Sequence, residues 1–272
     1  MDKSDKEILY KYYSDESKYA ISNLKKDLIT FTPVESLNDP FEGYGYYSIN
    51  LSKEEKYWDS INAKDTPGYI SNDIIERYKE VIDFNYRVFS LTKTYDNPLL
   101  WAHYTNSHNR FCVGYNKNSI LSTDSRLNFG NILYQEQLFN IEDINSEDEL
   151  YKILLVKSRH WKYEKEWRAI YKINQNDVIE RNVDCYTCKN FNCNEDIAIL
   201  NPNHLGTLIS PKYINRQCQP SVIYLGILTN SSIREELITM AKEKKIPVYQ
   251  IIQKRIHLIL TLKMYIKFKI CK

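Results

Sequence analysis

The chain is short of glycine and proline, 7 and 8 in 272 residues, so no long Gly- or Pro-rich linker divides it. It also lacks any run of the roughly 18 apolar residues that a membrane span needs. Its start, MDKSDKEILYKYY, holds no apolar signal core. The expectation is a cytoplasmic protein without membrane contact. Excess charge of one sign is missing too. With 37 Lys and Arg against 35 Asp and Glu, the net charge of +2 gives the whole molecule no strong pull toward nucleic acid. Several chemistries lack their motif. Without a G-x-S-x-G elbow, serine-hydrolase chemistry is disfavoured. Without H-E-x-x-H or H-x-E…P-C-x-x-C, so is catalytic zinc of the protease or deaminase kinds. Walker and Rossmann phosphate loops are absent as well.

What is present is an ordinary globular composition, 43% hydrophobic and 26% charged. Alternation and turn residues predict strands at Ile8–Tyr13, Leu28–Phe31, Tyr86–Lys93, Arg110–Asn116, 130–135, 166–173, 222–227 and 246–252. Helical spacing predicts helices over 15–26, Lys53–Asn62, Asn72–Val81, the NPLLWAHY segment, Ser146–Ser158 and Ser231–Lys244. Ser146 and Glu149 fit a capping box for the fifth of these. From Gln253 to Lys272 there is no acidic residue, and apolar positions alternate with basic or polar ones from Leu260 onward. A lysine-guarded edge strand explains this; a basic stripe for nucleic acid is the sharper alternative. Strands and helices mix without a strict βαβ rhythm. The fold class is therefore α+β, with mixed or antiparallel twisted sheets flanked by helices. One main domain over 1–272 is expected, with a Cys-containing insertion near 180–220.

Cysteines supply one candidate site. In a reducing compartment six cysteines do not point to a disulfide framework. Cys185, Cys188 and Cys193 have C-x2-C-x4-C spacing. With His204 or Cys218 as a fourth ligand they would make a tetrahedral structural zinc site, although the usual second C-x2-C pair is missing.

Three further stretches could carry chemistry. In SLNDPFEG, Asn38 and Asp39 are suited to set a turn before Pro40; alternatively Asp39 or Glu42 lines a site. In FSLTKTYDNPLLWAHY, Ser90 and Thr92 lie two apart on a strand, with Trp101, His103 and Tyr104 on the helix that follows. Such a junction can bind a planar ligand by stacking and hydrogen bonding, or it can be a core cluster. In WKYEKEWRAIY, strand alternation would put Glu164 and Glu166 on one face, with Arg168 free to pair with a carboxylate elsewhere. Such a carboxylate pair can divide labour between fixing a hydroxyl and stabilising positive charge, or it can be a surface ladder. Asp39, Glu42 and the glutamate pair around a divalent metal would suit a nuclease.

Taken in order, these blocks resemble a bacterial family of unknown function. They are Leu9–Tyr12, Asn38–Glu42, Phe89–Thr92, Leu100–Tyr104, Phe111–Tyr115, Trp161–Arg168, Leu225–Gly226 and Ile246–Gln250. The resemblance implies a setting in phage-defence or toxin-type loci, with a macromolecular target and a partner or antitoxin protein. The same order is remotely similar to the ADP-ribosyltransferase plan, which implies a split sheet and NAD as ligand. By position, Ser90 and Thr92 match its Ser-Thr-Ser-type strand, and Glu164 and Glu166 match its Glu-x-Glu. The resemblance implies that Glu166 binds the nicotinamide-ribose hydroxyl and stabilises an oxocarbenium-like transition state. It implies a phosphate-binding basic residue on the first strand, for which Lys11 stands, with Tyr13 where relatives tend to have arginine. Trp101 or Tyr104 would hold the nicotinamide. A non-catalytic protein- or nucleic-acid-binding module of the same fold is the alternative.

Overall fold

The computed structural model describes residues 7–14, 18–43, 45–46, 79–137, 139–140, 147–177, 179–180, 208–253 and 260–264. Its strands are β1 (Ile8–Tyr13), β2 (Leu28–Pro33), β3 (Gly45–Tyr46), β4 (Tyr86–Thr92), β5 (Phe111–Asn116), β6 (Asn128–Asn131), β7 (Leu133–Gln135) and β8 (Phe139–Asn140). They continue with β9 (Val156–Ser158), β10 (Glu166–Lys172), β11 (Ile179–Glu180), β12 (Leu208–Ile209), β13 (Ile214–Gln217), β14 (Val222–Leu225), β15 (Val248–Gln253) and β16 (Leu260–Met264). The α-helices are α1 (Lys18–Lys25), α2 (Pro98–Tyr104), α3 (Lys117–Leu121) and α4 (Ser231–Lys244). The fold is α+β, as expected. None of the helices among the described residues is long and apolar enough to cross a membrane.

Ten strands form one mixed, mostly antiparallel sheet that runs β13-β2-β4-β1-β5-β14-β15-β16 and forks at β4. One edge of β4 pairs along its whole length with β10, from Glu166↔Thr92 to Lys172↔Tyr86. The other edge is shared: β2 takes its first half (Thr32↔Val88) and β1 its end (Tyr10↔Thr92). The two strands thus follow each other along one edge of β4. The parallel pair in this sheet, β14 with β15, is bridged by α4. Asn230 caps α4 by accepting from the Ile233 amide at 2.9 Å.

Alternation on β4 and β10 sorts the two faces. Phe89, Leu91, Ala169 and Tyr171 enter the largest apolar cluster, with Leu24 of α1 and Leu237 and Met240 of α4. Val88 and Ile170 point the other way, to Ile82, Leu150, Ile153 and Leu154. By the same register Ser90, Thr92, Glu166 and Arg168 share this second face. The fold thus sets a row of polar side chains at the edge of an apolar layer.

Two expectations are corrected here. The helix expected over Ser146–Ser158 is a 3-10 helix at Glu147–Leu155, and the chain then turns into β9, parallel to β7 with Tyr134 opposite Lys157. The segment 130–135 is two strands, broken at Ile132, whose amide donates to the Glu166 carbonyl at 3.0 Å. The helix expected at Lys53–Asn62 lies outside the described residues, as do residues 72–78 of Asn72–Val81; residues 79–85 are helical.

Candidate functional site

The carboxylates of Glu42, Glu164 and Glu166 meet around the ammonium of Lys157. Its Nζ lies 2.8 Å from Glu42 Oε1, 2.7 Å from Glu164 Oε2 and 3.2 Å from Glu166 Oε2. Arg168 closes the cluster. Its Nε donates to Glu166 Oε1 at 2.7 Å, one terminal nitrogen donates to the Leu154 carbonyl at 2.8 Å, and the other donates to Glu166 Oε2 at 3.1 Å and to Glu42. All five side chains are buried. Three acids against two bases leave the group net negative in a medium where unpaired charge is costly.

Local structure explains the convergence. The turn Asn38–Gly43 delivers Glu42. Asp39 caps it by accepting from the Phe41 amide at 3.0 Å, and its carbonyl accepts from the Glu42 amide at 3.0 Å. Asp39 thus acts as the turn-setting residue. Gly43 follows with φ 76, in the left-handed region that suits glycine. Glu164 is not on a strand, contrary to expectation. It ends a 3-10 helix, Arg159–Glu164, and Lys165 then takes a left-handed conformation, φ 48 and ψ 45, before β10 begins at Glu166. That kink aims both carboxylates at one ammonium. Thr92 fixes it, donating through Oγ1 to the Glu164 carbonyl at 2.5 Å. Thr92 is therefore a backbone anchor. The Tyr134 hydroxyl accepts from the Glu166 amide at 2.7 Å.

The two glutamates titrate in opposite directions. For Glu164, burial is the largest influence and raises its pKa; Lys157 opposes this, and the neighbouring Glu166 charge adds to it. For Glu166, burial also acts against the charge, but Arg168 and Lys157 outweigh it and hold the carboxyl down at about 2. Lys157 is held above the ordinary lysine range because the three glutamates outweigh burial. A pair of carboxyls split in this way divides into a fixed anion and a proton-exchanging group.

Ser90, the group of Asn38, His103 and Tyr104, and Trp101 fall in three places. Ser90, opposite Arg168 in the register, has a buried hydroxyl that makes no full hydrogen bond; it is close enough to Glu166 to favour its charge. At the rim, the Tyr104 hydroxyl donates to Glu164 and sits beside the exposed Asn38, and the exposed His103 ring lies 6.3 Å from that of Tyr104. Trp101 is fully buried, its indole N–H donating to the Tyr95 carbonyl at 2.7 Å and its ring set edge-on to Tyr12. It is a core residue with no face left for a ligand.

Lys11 departs from its expected place. The pairing Tyr10↔Thr92 puts Tyr10 on the carboxylate face and Lys11 on the other. There its ammonium lies 5.5 Å over the Phe89 ring. Burial pulls its pKa down to about 8, although the Glu166 charge acts through the sheet to raise it. Cys185, Cys188, Cys193 and His204 lie outside the described residues. Cys218 is a buried core thiol pushed up to about 12, chiefly by burial. Among the described residues no group of three or more His, Cys, Asp or Glu is arranged to hold a metal ion. Between Glu42, Glu164 and Glu166 the position of a cation is taken by the Lys157 ammonium.

Lys157 is the residue that the sequence did not single out at this site. The one available signal was a lone lysine closing the apolar run ILLV.

No curated protein and no solved structure matches the chain. Residues 100–169 match the family model described as a protein of unknown function, DUF2971. That segment holds Tyr104, Lys157, Glu164, Glu166 and Arg168, whereas Asp39, Glu42 and Ser90 lie outside it. Over this segment the chain is similar to a family whose function is unknown.

Proposed function

We propose that the chain is an enzyme of the ADP-ribosyltransferase kind that cleaves the bond between nicotinamide and ribose in NAD, serving a bacterial defence or toxin-type system. The observation that carries this reading is the split pair: a fixed Glu166 anion beside the buried Ser90 hydroxyl, which makes no full hydrogen bond, and Glu164 with a raised pKa two residues away. The Glu166–Ser90 end suits a ribose, which offers hydroxyls to both groups. Lys11 faces away and does not suit the phosphates. When the C–N bond breaks, its electrons leave with nicotinamide and positive charge builds on the ribose. Glu166, kept ionised by Arg168 and Lys157, stabilises that charge electrostatically. Glu164 takes the proton of the attacking acceptor, a role favoured by a pKa shifted toward neutrality.

The test is nicotinamide release from NAD by the purified protein. Glu166→Gln is expected to lower the rate by about 100-fold or more while circular dichroism shows a folded protein. Absence of both saturable NAD binding and release sinks the proposal.

A second reading is the non-catalytic module, favoured by the closure of the cluster: each of the three guanidinium nitrogens of Arg168 already has an acceptor. A protein that arrests growth equally well with Glu164→Gln/Glu166→Gln acts in that way.

A further inference from the structure

The segment that delivers Lys157 takes a helix type that its sequence does not favour. Glu147–Leu155 runs as a 3-10 helix for nine residues, whereas such helices seldom exceed about 3–4. Its buried residues Leu150, Ile153 and Leu154 are spaced i, i+3, i+4, the pattern of an α-helix face. With three residues per turn, Leu154 falls a third of a turn away from the other two. Hydrogen-bond geometry is also poorer in the 3-10 form. Nothing within the segment therefore prefers it.

The hold comes from the carboxyl end. Lys157 is bonded by Glu42, Glu164 and Glu166 at 2.8, 2.7 and 3.2 Å. The Leu154 carbonyl accepts from Arg168 at 2.8 Å, in place of the amide four residues on. Strand β9 pairs with β7 over three residues only, from Leu133↔Val156 to Gln135↔Ser158. Length decides what a change of helix type does here. A 3-10 helix rises about 2.0 Å per residue and an α-helix about 1.5 Å, so nine residues shorten by about 4–5 Å on conversion. That pull is larger than any of the three Lys157 contacts, and it takes the ammonium out of the cluster.

We infer that Lys157 is the bolt of a two-state latch. With the segment as a 3-10 helix, the ammonium fills the carboxylate cluster and closes it. With residues 147–158 as an α-helix, it is withdrawn, and the cluster is open to a cationic group from outside. Arg168 stays with Glu166 in both states. Withdrawal leaves three carboxylates against one guanidinium, so the cation that takes the vacated place is what favours the open state. The latch itself needs no NAD. Its consequence for NAD rests on the reading above, in which the cationic nicotinamide ring is that group.

Two experiments on the full-length protein test the latch. Lys157→Met cuts the bolt and keeps a side chain suited to a helix. Backbone Cα chemical shifts at 155–158 are expected to move from strand-like to helical values, with those of β1 and β5 unchanged. Any other values in the folded variant overturn the inference. If the variant does not fold, saturation-transfer NMR of the wild type decides. A minor state with helical shifts at 155–158 is expected, and its absence overturns the inference.

The second experiment pins β9. Leu133 and Val156 are partners within disulfide reach, and they alternate with Tyr134 and Lys157, so they lie on the face away from the cluster. Oxidised Leu133→Cys/Val156→Cys is expected to lower nicotinamide release from NAD about tenfold or more, and reduction to restore it. Equal release in both redox states overturns the latch as control of the site. If neither wild type nor variant releases nicotinamide, the enzymatic reading falls and the shifts alone decide the latch.

Discussion

Glu164 and Glu166 are separated by a single left-handed residue, Lys165, and both bond the same Lys157 ammonium, at 2.7 and 3.2 Å. Two residues of extended chain would have set them side by side on a strand. The kink makes them partners of one cation instead, in surroundings different enough to drive their titrations apart.

Lys157 should be the most sensitive position of the cluster. Replacing it with methionine leaves three buried carboxylates against Arg168 alone. Removing one partner of a buried ionic group costs about 3–5 kcal/mol. In this variant Glu164, already raised by burial, loses the ammonium that opposes that shift and binds its proton more readily folded than unfolded, so its raised pKa costs stability at neutral pH and the cost fades as pH falls. Urea unfolding of Lys157→Met should show a larger loss at pH 7.5 than at pH 5. An equal loss at both would mean that packing, not charge, is what Lys157 supplies.

The acid limb of the wild type has a definite sign. Glu166, depressed to about 2, contributes stability that is complete above the unfolded carboxyl pKa of about 4.3 and is lost as pH falls through its folded value. The shift corresponds to about 3 kcal/mol. Glu164 works oppositely: its raised pKa makes ionisation costly in the folded state, so its contribution declines as pH rises above about 4.3. Glu164→Gln should therefore gain on the wild type between pH 4 and pH 7. Unfolding curves at the two pH values decide it, and a difference that does not grow with pH would show Glu164 to be ordinary in titration.

Much of the frame was legible because its signals are local. Alternation gave β1, β4, β5 and β10, and Asn97-Pro98 marked the start of α2. The polar row on β4 and β10 was readable as Ser90, Thr92 and Glu166, whereas Glu164 leaves it through the kink at Lys165. What escaped depended on long-range geometry. Lys157 hid because ELYKILLVK shows helical spacing, and only pairing with β7 draws its end into a strand. Lys11 was assigned to the site by the resemblance alone; the face it takes is set by the register of β1 on β4, which no local pattern carries. Trp101 looked like a ligand platform because polar-aromatic composition does not reveal which rings the core will cover.

Gly226 supports the opposite end of α2. Asn106, Ser107 and His108 are successive left-handed residues, with φ of 48, 53 and 68, and each carries a conformational cost of about 1 kcal/mol or more. Their turn is pinned by the residues that follow β14: the Gly226 amide donates to the Arg110 carbonyl at 2.8 Å and that of Leu228 to the His108 carbonyl at 3.0 Å. An added Cβ at Gly226 would lie 2.2 Å from the His108 oxygen and 2.7 Å from that of Arg110. Backbone atoms must move, so Gly226→Ala should cost about 3 kcal/mol or more. A melting temperature unchanged from wild type would show the turn to be more pliant than this packing implies.

Ser90 separates stability from function most cleanly. Its hydroxyl is buried and without a full hydrogen bond, a state that costs folding energy. Ser90→Ala removes a poorly satisfied buried hydroxyl but also a neighbour that favours the Glu166 charge, so the two effects oppose and stability should stay within about 1 kcal/mol of the wild type. If the hydroxyl is kept for a ribose, the same change should raise KM for NAD and lower nicotinamide release about tenfold. A variant that keeps its stability, raises KM for NAD and loses turnover marks Ser90 as a ligand contact, because a serine that acts only through Glu166 would leave KM unchanged. A variant that is unchanged in both would place Ser90 outside the site and leave Glu166 and Glu164 to carry it alone.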